Sequence, residues 1–345
     1  MRDFRERCRC YGFGSTETPA LRLNRNRNTG TYSRRQASRR DVLRGLAAGL
    51  AGLSLAPLAS SVALAAGGIA VADVAPKIKV LSGAGGNIVV LATSAGQVVV
   101  DSGAAAQSDA VVGTLRELGG TGAKVAALVN THWHRDQTGA NEALGVAGAT
   151  IIAHAKTRQR LRAGWYVPAS DRYEPPLPPA ARPTKAFYTT DSASFGDERI
   201  EYGYLIEAHT DGDLYVRIPS ANVIATGDVV SPQRDPVLDW FGGGWLGGRV
   251  DALAKLLALG DARTRYVPSV GSVVGRAQVQ AEHDLLKTVF DRMVVNLRLG
   301  QTADDMLKVG LLDGLPRTFE DPAKFLYDAN KGFWAHHNKL MNDIV

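Results

Sequence analysis

Cysteine is almost absent from this 345-residue chain, because its only two, Cys8 and Cys10, lie among the first ten residues. The rest of the chain therefore has neither a disulfide nor a thiolate metal ligand available. Any metal site there must be built from histidine, carboxylate and amide groups. The Cys-x-Cys pair itself falls in a segment that we interpret below as a disposable leader, so we assign it no metal.

An excess of positive charge is also missing outside the front of the chain. Residues 1–65 hold 12 of the 40 basic and 4 of the 34 acidic residues, a balance of +8. That leaves 28 basic and 30 acidic side chains for the remainder, a net charge of −2. Because nucleic-acid-binding domains carry clustered basic surfaces, we expect no nucleic-acid partner.

Charge of either sign is missing between Arg44 and Asp73, where small and apolar residues predominate. The preceding heptapeptide, Ser38 to Arg44, resembles a twin-arginine export motif, and Ala63 to Ala65 suits a signal peptidase. We therefore predict a twin-arginine signal peptide over residues 1–65, export to the periplasm by the twin-arginine machinery, and one domain over residues 66–345. The alternative is an uncleaved membrane anchor, since the uncharged run is long enough to span a bilayer, although it is weakly apolar.

Three potential metal ligands follow an apolar strand predicted over residues 125–129. His132, His134 and Asp136 occupy alternate positions in the loop that follows. Extended residues alternate between the two sides of the backbone, so these side chains lie on the same side. Histidine and aspartate at such positions are typical of a metal site.

This loop, Thr-His-x-His-x-Asp followed by Thr-Gly, resembles the signature of the metallo-β-lactamase superfamily. Two further segments come in the order that the family requires, one from His209 to Asp213 and one from Thr226 to Asp228. The resemblance implies an α/β fold, the four-layer αββα metallo-β-lactamase sandwich. It also assigns a structural role to Asp101, bonding backbone amides around the metal loop.

The chain departs from the family pattern at two ligand positions. A third histidine is usual directly after the aspartate, where this chain has Gln137, and a last histidine where it has Val270. By resemblance, His132, His134 and His209 form one complete site. Three imidazoles with an open fourth position allow zinc to lower the pKa of its bound water to about 7.

The neighbouring site keeps Asp136 and Asp228 and gains only the amide of Gln137. These oxygen donors disfavour a second tightly held zinc, so we expect one zinc per chain. Asp136 is then the predicted general base, and Asp228 is predicted to orient the attacking water. We therefore expect a hydrolase that acts on a small-molecule ester, lactone, thioester or β-lactam, and the resemblance does not choose among these.

Two other functions stay open at this point. A chain without two family ligands is also compatible with a non-catalytic binding protein of the same fold, and Arg135 favours it if this cation pairs with an aspartate or repels a metal. An oxidoreductase with a single iron at the three histidines has little support.

Several segments around the ligands carry further expectations. Six prolines between Trp165 and Pro183 predict a segment without regular structure, which either covers the substrate or wraps the surface inertly. The aromatics of this segment and of a later glycine-rich loop suggest walls for a largely apolar substrate. They are Trp165, Tyr166, Trp240, Phe241 and Trp245. We expect His154 to have a structural role or to support the metal ligands from behind, and His336 and His337 to be surface or packing residues.

Overall fold

The structure is a computed structural model that describes residues 62–64, 68–167 and 171–336. The strands are β1 Val62–Leu64, β2 Ala70–Ala75, β3 Ile78–Ser82, β4 Ile88–Thr93, β5 Gly96–Val100, β6 Val125–Val129, β7 Thr150–His154, β8 Trp165–Val167, β9 Arg172–Glu174, β10 Lys185–Phe187, β11 Thr190–Phe195, β12 Glu198–Tyr204, β13 Leu214–Ile218, β14 Val223–Gly227, β15 Arg265–Pro268 and β16 Val274–Gly275. The α-helices are α1 Ser108–Gly119, α2 Asn141–Val146, α3 Ala155–Arg162, α4 Leu246–Leu259, α5 Arg276–Arg298, α6 Ala303–Lys308 and α7 Pro322–Ala335.

Two large sheets form the centre of the domain. The first has eight strands in the order β1-β2-β3-β4-β5-β6-β7-β10. Its first five strands pair antiparallel, whereas β5, β6, β7 and β10 pair parallel. The second sheet has six strands in the order β11 to β16, with one parallel pair between β14 and β15.

The apolar residues of the strands alternate between two cores, as the period of a strand requires. Val89 faces the other sheet and packs with residues such as Tyr202 and Val216 of the second sheet. Its neighbour Val90 faces the opposite way and packs in a cluster with Val111 of α1. The middle core therefore joins the two sheets, and the outer core joins the first sheet to α1 and α2.

A third core covers the outer face of the second sheet. Ile224 and Tyr266 pack there with Leu253 of α4, Leu286 of α5 and Leu326 of α7. Helices thus cover both outer faces of two packed sheets, and the predicted four-layer αββα sandwich is confirmed.

The predicted absence of regular structure between Trp165 and Pro183 is wrong. β8 and β9 form a two-stranded antiparallel hairpin, and a 3-10 turn follows over Pro179–Ala181. Proline removes a ladder donor only at its own position, and both short strands are free of proline.

The export predictions fall mainly outside the described residues. Backbone of Val62–Leu64, within the predicted leader, pairs antiparallel with Ala70–Ala72 at the edge of the first sheet. Among the described helices, none combines the length and apolarity that crossing a bilayer demands. The leader, its cleavage and the membrane-anchor alternative remain predictions.

Candidate metal centre

The loop that carries the first two histidines is attached to the preceding strand by a carboxylate. Asp101, directly after β5, accepts hydrogen bonds from the Thr131 amide at 2.8 Å and from the Thr131 hydroxyl at 2.7 Å. Asp101 adopts φ 63°, a left-handed backbone conformation. Burial raises the pKa of Asp101 and the two Thr131 bonds lower it, and each of its two oxygens accepts one of these bonds. The structural role expected for Asp101 matches this geometry.

Four side chains from three segments converge at this loop. Ligand atoms of His132, His134, His209 and Asp228 all lie within 4.8 Å of one another. His132 and His134 follow β6, His209 lies between β12 and β13, and Asp228 directly follows β14. The centre therefore draws its residues from both sheets.

The nitrogen and oxygen atoms that face one another are close. The distance from His134 Nδ1 to His209 Nε2 is 3.0 Å. Asp228 Oδ2 lies 3.5 Å from His209 Nε2 and 3.8 Å from His132 Nε2. Within the described residues, His132 Nε2 is buried and has no hydrogen-bond partner.

The other nitrogen of each ring is held by an acceptor outside the centre. His134 Nε2 lies 3.0 Å from Asp239 Oδ2, and His209 Nδ1 lies 2.8 Å from the Val237 carbonyl. Because carboxylates and carbonyls only accept, we assign an N–H to each of these outward nitrogens. The inward nitrogens of His134 and His209 then present lone pairs.

The same assignment holds for His132 by a relay through Thr131. The Thr131 hydroxyl donates to Asp101, so it accepts from His132 Nδ1 at 3.0 Å. His132 Nε2 consequently also carries a lone pair. Outward bonds of this kind orient metal-binding histidines and set their tautomer in metalloproteins.

The donor set fits a first-row metal ion. Tetrahedral coordination with bonds of about 2.0–2.1 Å places neighbouring donor atoms roughly 3.3 Å apart. Three of the distances here are 3.0, 3.5 and 3.8 Å, and the others are no longer than 4.8 Å. Lone pairs that face each other at such distances repel unless a cation lies between them, either a metal ion or a proton on His134 Nδ1. Three imidazoles and one carboxylate are therefore the residues that hold the metal if one binds.

Burial keeps most of this centre neutral. It lowers the pKa of His132 and His209 well below the ordinary value, so both are unprotonated at neutral pH. Burial acts in the same direction on His134, but the hydrogen bond and charge of Asp239 outweigh it and raise the pKa of His134. Asp239 is thus the partner that controls the charge of His134.

Asp136 and Gln137 lie beside this group. Asp136 does not belong to the four residues whose ligand atoms converge. Burial, and then the negative charge of Asp228, raise the pKa of Asp136. Gln137 is fully buried under Gly86, where a Cβ atom would lie 2.5 Å from the Gln137 amide nitrogen. Their predicted ligand and base roles remain predictions.

Two arginines near the centre have different partners. Among the described residues, Arg135 pairs with a glutamate and not with an aspartate: its Nε lies 3.4 Å from Glu174, and its guanidinium also donates to the Pro175 carbonyl. Arg234 instead forms an ion pair with Asp228 Oδ1. Sequence reasoning missed both Arg234 and Asp239, because neither belongs to a motif.

The hairpin β8–β9 reaches the metal loop. The rings of Trp165 and Trp133 contact at a centroid distance of 3.5 Å, and the Trp165 ring lies 6.5 Å from the ring of His134. Of the two roles expected for this segment, covering the centre is therefore the one that the contacts favour.

Trp245 does not form a pocket wall as expected. It is 6% exposed, packs edge-to-face against Phe290 and Phe333 and stacks on His336 at 4.9 Å. Phe241, in the same glycine-rich segment, is 48% exposed. Of the aromatic residues expected in this segment, Trp245 is therefore a core residue, whereas Phe241 is exposed and Trp240 packs edge-to-face against it at 5.8 Å.

Two of the other histidines, His154 and His336, pack against aromatic side chains. His154 stacks on Tyr204 at 3.8 Å, and its Nδ1 accepts from the Lys156 amide at the start of α3. His336 packs on Trp245 and lies 3.4 Å from Glu207. His337 lies outside the described residues.

Comparisons with known proteins agree with this architecture. The family described as the metallo-beta-lactamase superfamily matches residues 81–278. No curated protein sequence matches the chain. The solved structure of the metallo-beta-lactamase DIM-1 is 17% identical to this chain with a TM-score of 0.51. The match covers 66% of this chain and 99% of the DIM-1 chain.

A second solved structure is the stereoselective inverting sec-alkylsulfatase Pisa1 from Pseudomonas sp. It is 13% identical with a TM-score of 0.58, and the match covers 77% of this chain. This chain spans only half the length of that enzyme. At these identities both structures show a shared fold.

Proposed function

Because this chain belongs to the metallo-beta-lactamase superfamily, we propose that it is an exported hydrolase with a single zinc ion that cleaves an ester, lactone, thioester or β-lactam. The observation that supports this proposal is the orientation of three imidazoles. Each has its outer nitrogen bonded to a protein acceptor and its inner nitrogen directed at the other two and at Asp228. Such an arrangement leaves lone pairs for a cation.

The residues of the chain then have distinct tasks. When bound, zinc supplies a Lewis acid that polarises a carbonyl and acidifies water. Asp136 accepts the proton of the attacking water, and its raised pKa places this carboxylate closer to neutral pH, where a general base works best. Asp228 orients that water and contributes a carboxylate oxygen to the centre.

The substrate enters past aromatic side chains. Trp165 of the hairpin lies over His134 and Trp133, and Phe241 is half-exposed in the loop that follows Asp239. Such surfaces suit a largely apolar substrate with one carbonyl group. Because a solved relative is an alkylsulfatase, sulfate esters belong in the panel of test substrates.

The location is proposed from the sequence. The twin arginines Arg39 and Arg40 precede an uncharged run that ends in Ala63 to Ala65, so we propose export to the periplasm by the twin-arginine route. That route carries folded proteins, so zinc can be loaded before export.

One observation favours a second candidate, a binding protein of the same fold without catalysis. The chain has Gln137 and Val270 at two family ligand positions, and Arg234 pairs with the carboxylate of Asp228. A binding protein of this kind would hold a ligand at the same face and turn over none.

The decisive experiment combines metal analysis with a substrate panel. The purified protein, His132→Ala and the control His283→Ala are loaded with zinc and assayed with β-lactam, lactone, thioester, aryl-ester and sulfate-ester substrates. We expect about one zinc per chain and turnover in the first and third proteins, and neither in His132→Ala. His283 is a matched control because the same substitution is made at a histidine that lies on α5 and contacts the side chain of Asp284.

Two results contradict the proposal in different ways. A protein that binds zinc but turns over no substrate class of the panel supports the second candidate, the non-catalytic binding protein. A protein that holds no zinc after loading removes the metal centre from both candidates.

A further inference from the structure

The two oxygens of the Asp228 carboxylate face different partners. Oδ2 lies 3.5 Å from His209 Nε2 and 3.8 Å from His132 Nε2. Oδ1 forms an ion pair with the guanidinium of Arg234. A carboxylate that bridges two metal ions would present one oxygen to each, so Arg234 stands on the side of a second ion.

We propose that the Arg234 guanidinium takes the place of a second metal ion beside Asp228 and thereby keeps the centre mononuclear. This inference rests on the proposed function, because it presupposes that the three histidines bind one zinc. It explains why a single zinc ion suffices: the guanidinium of Arg234 supplies the positive charge that a second ion would otherwise bring to Asp228.

The charge of arginine suits this position. A guanidinium stays protonated at every physiological pH and has a fixed fork of donors that matches a carboxylate. Burial is the main reason why the pKa of His132 is lowered, and the positive charge of Arg234 adds to the effect. The guanidinium therefore acts electrostatically on the histidine centre as well as on Asp228.

The backbone around Arg234 is anchored, which keeps the guanidinium in place. The Arg234 carbonyl accepts a hydrogen bond from the guanidinium of Arg317, which also donates to the Ser231 carbonyl at 3.1 Å. Asp235 accepts from the amides of Glu320 and Asp321 at 3.0 and 2.8 Å. The segment that carries Arg234 is thus bonded to the chain that leads into α7.

Removal of this cation uncovers oxygen donors. Without Arg234, Asp228 Oδ1 loses the cation that it pairs with. Asp136 lies close enough for the negative charge of Asp228 to raise its pKa, so the charge of both carboxylates is then left without the guanidinium. Together with the Gln137 side chain, which lies close enough to Asp136 to act on its pKa, these groups are oxygen donors of the kind that manganese accepts. Manganese does not displace zinc from imidazoles, since its affinity for such sites is lower.

Arg135 provides a matched control. It is also an arginine beside the centre, directly before Asp136, but it pairs with Glu174 and donates to the Pro175 carbonyl. Its removal changes the local charge by the same amount and leaves Asp228 paired.

The experiment uses the full chain loaded with zinc, together with Arg234→Ala, Arg234→Lys and Arg135→Ala. Each protein is titrated with Mn²⁺, and free Mn²⁺ is followed by electron paramagnetic resonance while bound zinc is measured by elemental analysis. We expect one zinc in all four proteins and one bound manganese only in Arg234→Ala. Arg234→Lys retains a cation and therefore excludes manganese.

Three results would overturn the inference: two ions in the unmodified protein, no manganese in Arg234→Ala, or loss of zinc from Arg234→Ala with its circular dichroism unchanged. The last result would make Arg234 part of the zinc site itself. An unmodified protein that binds no zinc would overturn the proposed function too, so the two failures are distinguishable.

Discussion

Thr131 joins the ring of His132 to the carboxylate of Asp101. Its hydroxyl donates to Asp101 at 2.7 Å and accepts from His132 Nδ1 at 3.0 Å, while its amide donates to the same carboxylate at 2.8 Å. Gly227 lies against this hydroxyl, where a Cβ atom would come within 2.8 Å. One small side chain therefore sets the tautomer of His132.

Replacing Thr131 by valine tests this relay. Valine keeps the shape of threonine but cannot accept from His132 Nδ1, so the ring loses its orientation. Removal of such an outer bond typically weakens metal binding by about 10–100-fold, and we expect a zinc dissociation constant raised by that factor. Competition with a chromophoric chelator measures it.

Thr114→Val is the control for this prediction. Thr114 is 1% exposed, and its hydroxyl donates to the Ala110 carbonyl within α1, so the same substitution is made at a buried site away from the histidines. Equal zinc affinity in the two variants would argue against the relay.

Asp136 allows a separate test of catalysis without metal loss. Because Asp136 lies outside the group of four converging residues, Asp136→Asn should keep its zinc. Loss of a general base lowers turnover by roughly 10²–10⁴-fold. The measurement is kcat on the best substrate of the panel together with zinc content, with the exposed Asp109→Asn as control, and unchanged kcat would exclude Asp136 from the reaction.

At the scale of elements, the glycine-rich loop after Asp239 holds the segment that carries His209. The Asp239 amide donates to the His209 carbonyl at 3.0 Å, and the Gly244 amide donates back to the Asp239 carbonyl at 2.8 Å. A Cβ atom at Gly244 would lie 2.0 Å from the His209 carbonyl oxygen. The close approach of these two backbones therefore requires glycine.

Gly244→Ala should displace His209 and destabilise the fold. Overpacking of this kind costs about 1–3 kcal/mol, and the displaced ring should also bind zinc more weakly. Urea unfolding and chelator competition measure the two effects.

Gly113→Ala is the matched control, because a Cβ atom there meets nothing within 4 Å. Gly113 lies inside α1, so alanine should raise stability by about 0.4–1 kcal/mol. A Gly244→Ala variant that is as stable as Gly113→Ala and keeps its zinc would show that the loop accommodates the added methyl group without loss of stability.

At the scale of the whole molecule, the centre lies where the two sheets meet. His132 and His134 follow a strand of the first sheet, whereas His209 and Asp228 belong to the second. An ion bound by all four residues links the two halves of the sandwich. Metal binding should therefore stabilise the entire fold.

Removing the metal should lower Tm. A ligand present at 100 times its dissociation constant stabilises the native state by about 2.7 kcal/mol, which corresponds to a shift of several degrees for a domain of this size. Scanning calorimetry with zinc and with a chelator measures the shift. The shift should vanish in His132→Ala and persist in His283→Ala, and a Tm independent of bound zinc would contradict the link between the sheets.

Periodicity in the sequence was enough to predict the strand over residues 125–129, which the structure has as β6, and the loop of His132 and His134 directly after it. Apolar alternation and the Thr-His-x-His-x-Asp order determine which side chains leave the sheet edge together, because backbone geometry within a few residues is local. The order of the later segments then indicated His209 and Asp228. The hairpin at Trp165 and the burial of Trp245 were not predicted, since two short paired strands and a helix contact carry no such local signal.

Only the tertiary structure decided what surrounds the ligands. His134 and Asp239 are 105 residues apart, and Asp228 and Arg234 belong to no shared motif. Their pairing depends on how two sheets and their loops pack, and burial then makes each unpartnered polar atom costly enough to enforce it. Local sequence determines which groups are available for chemistry, whereas packing determines which of them meet.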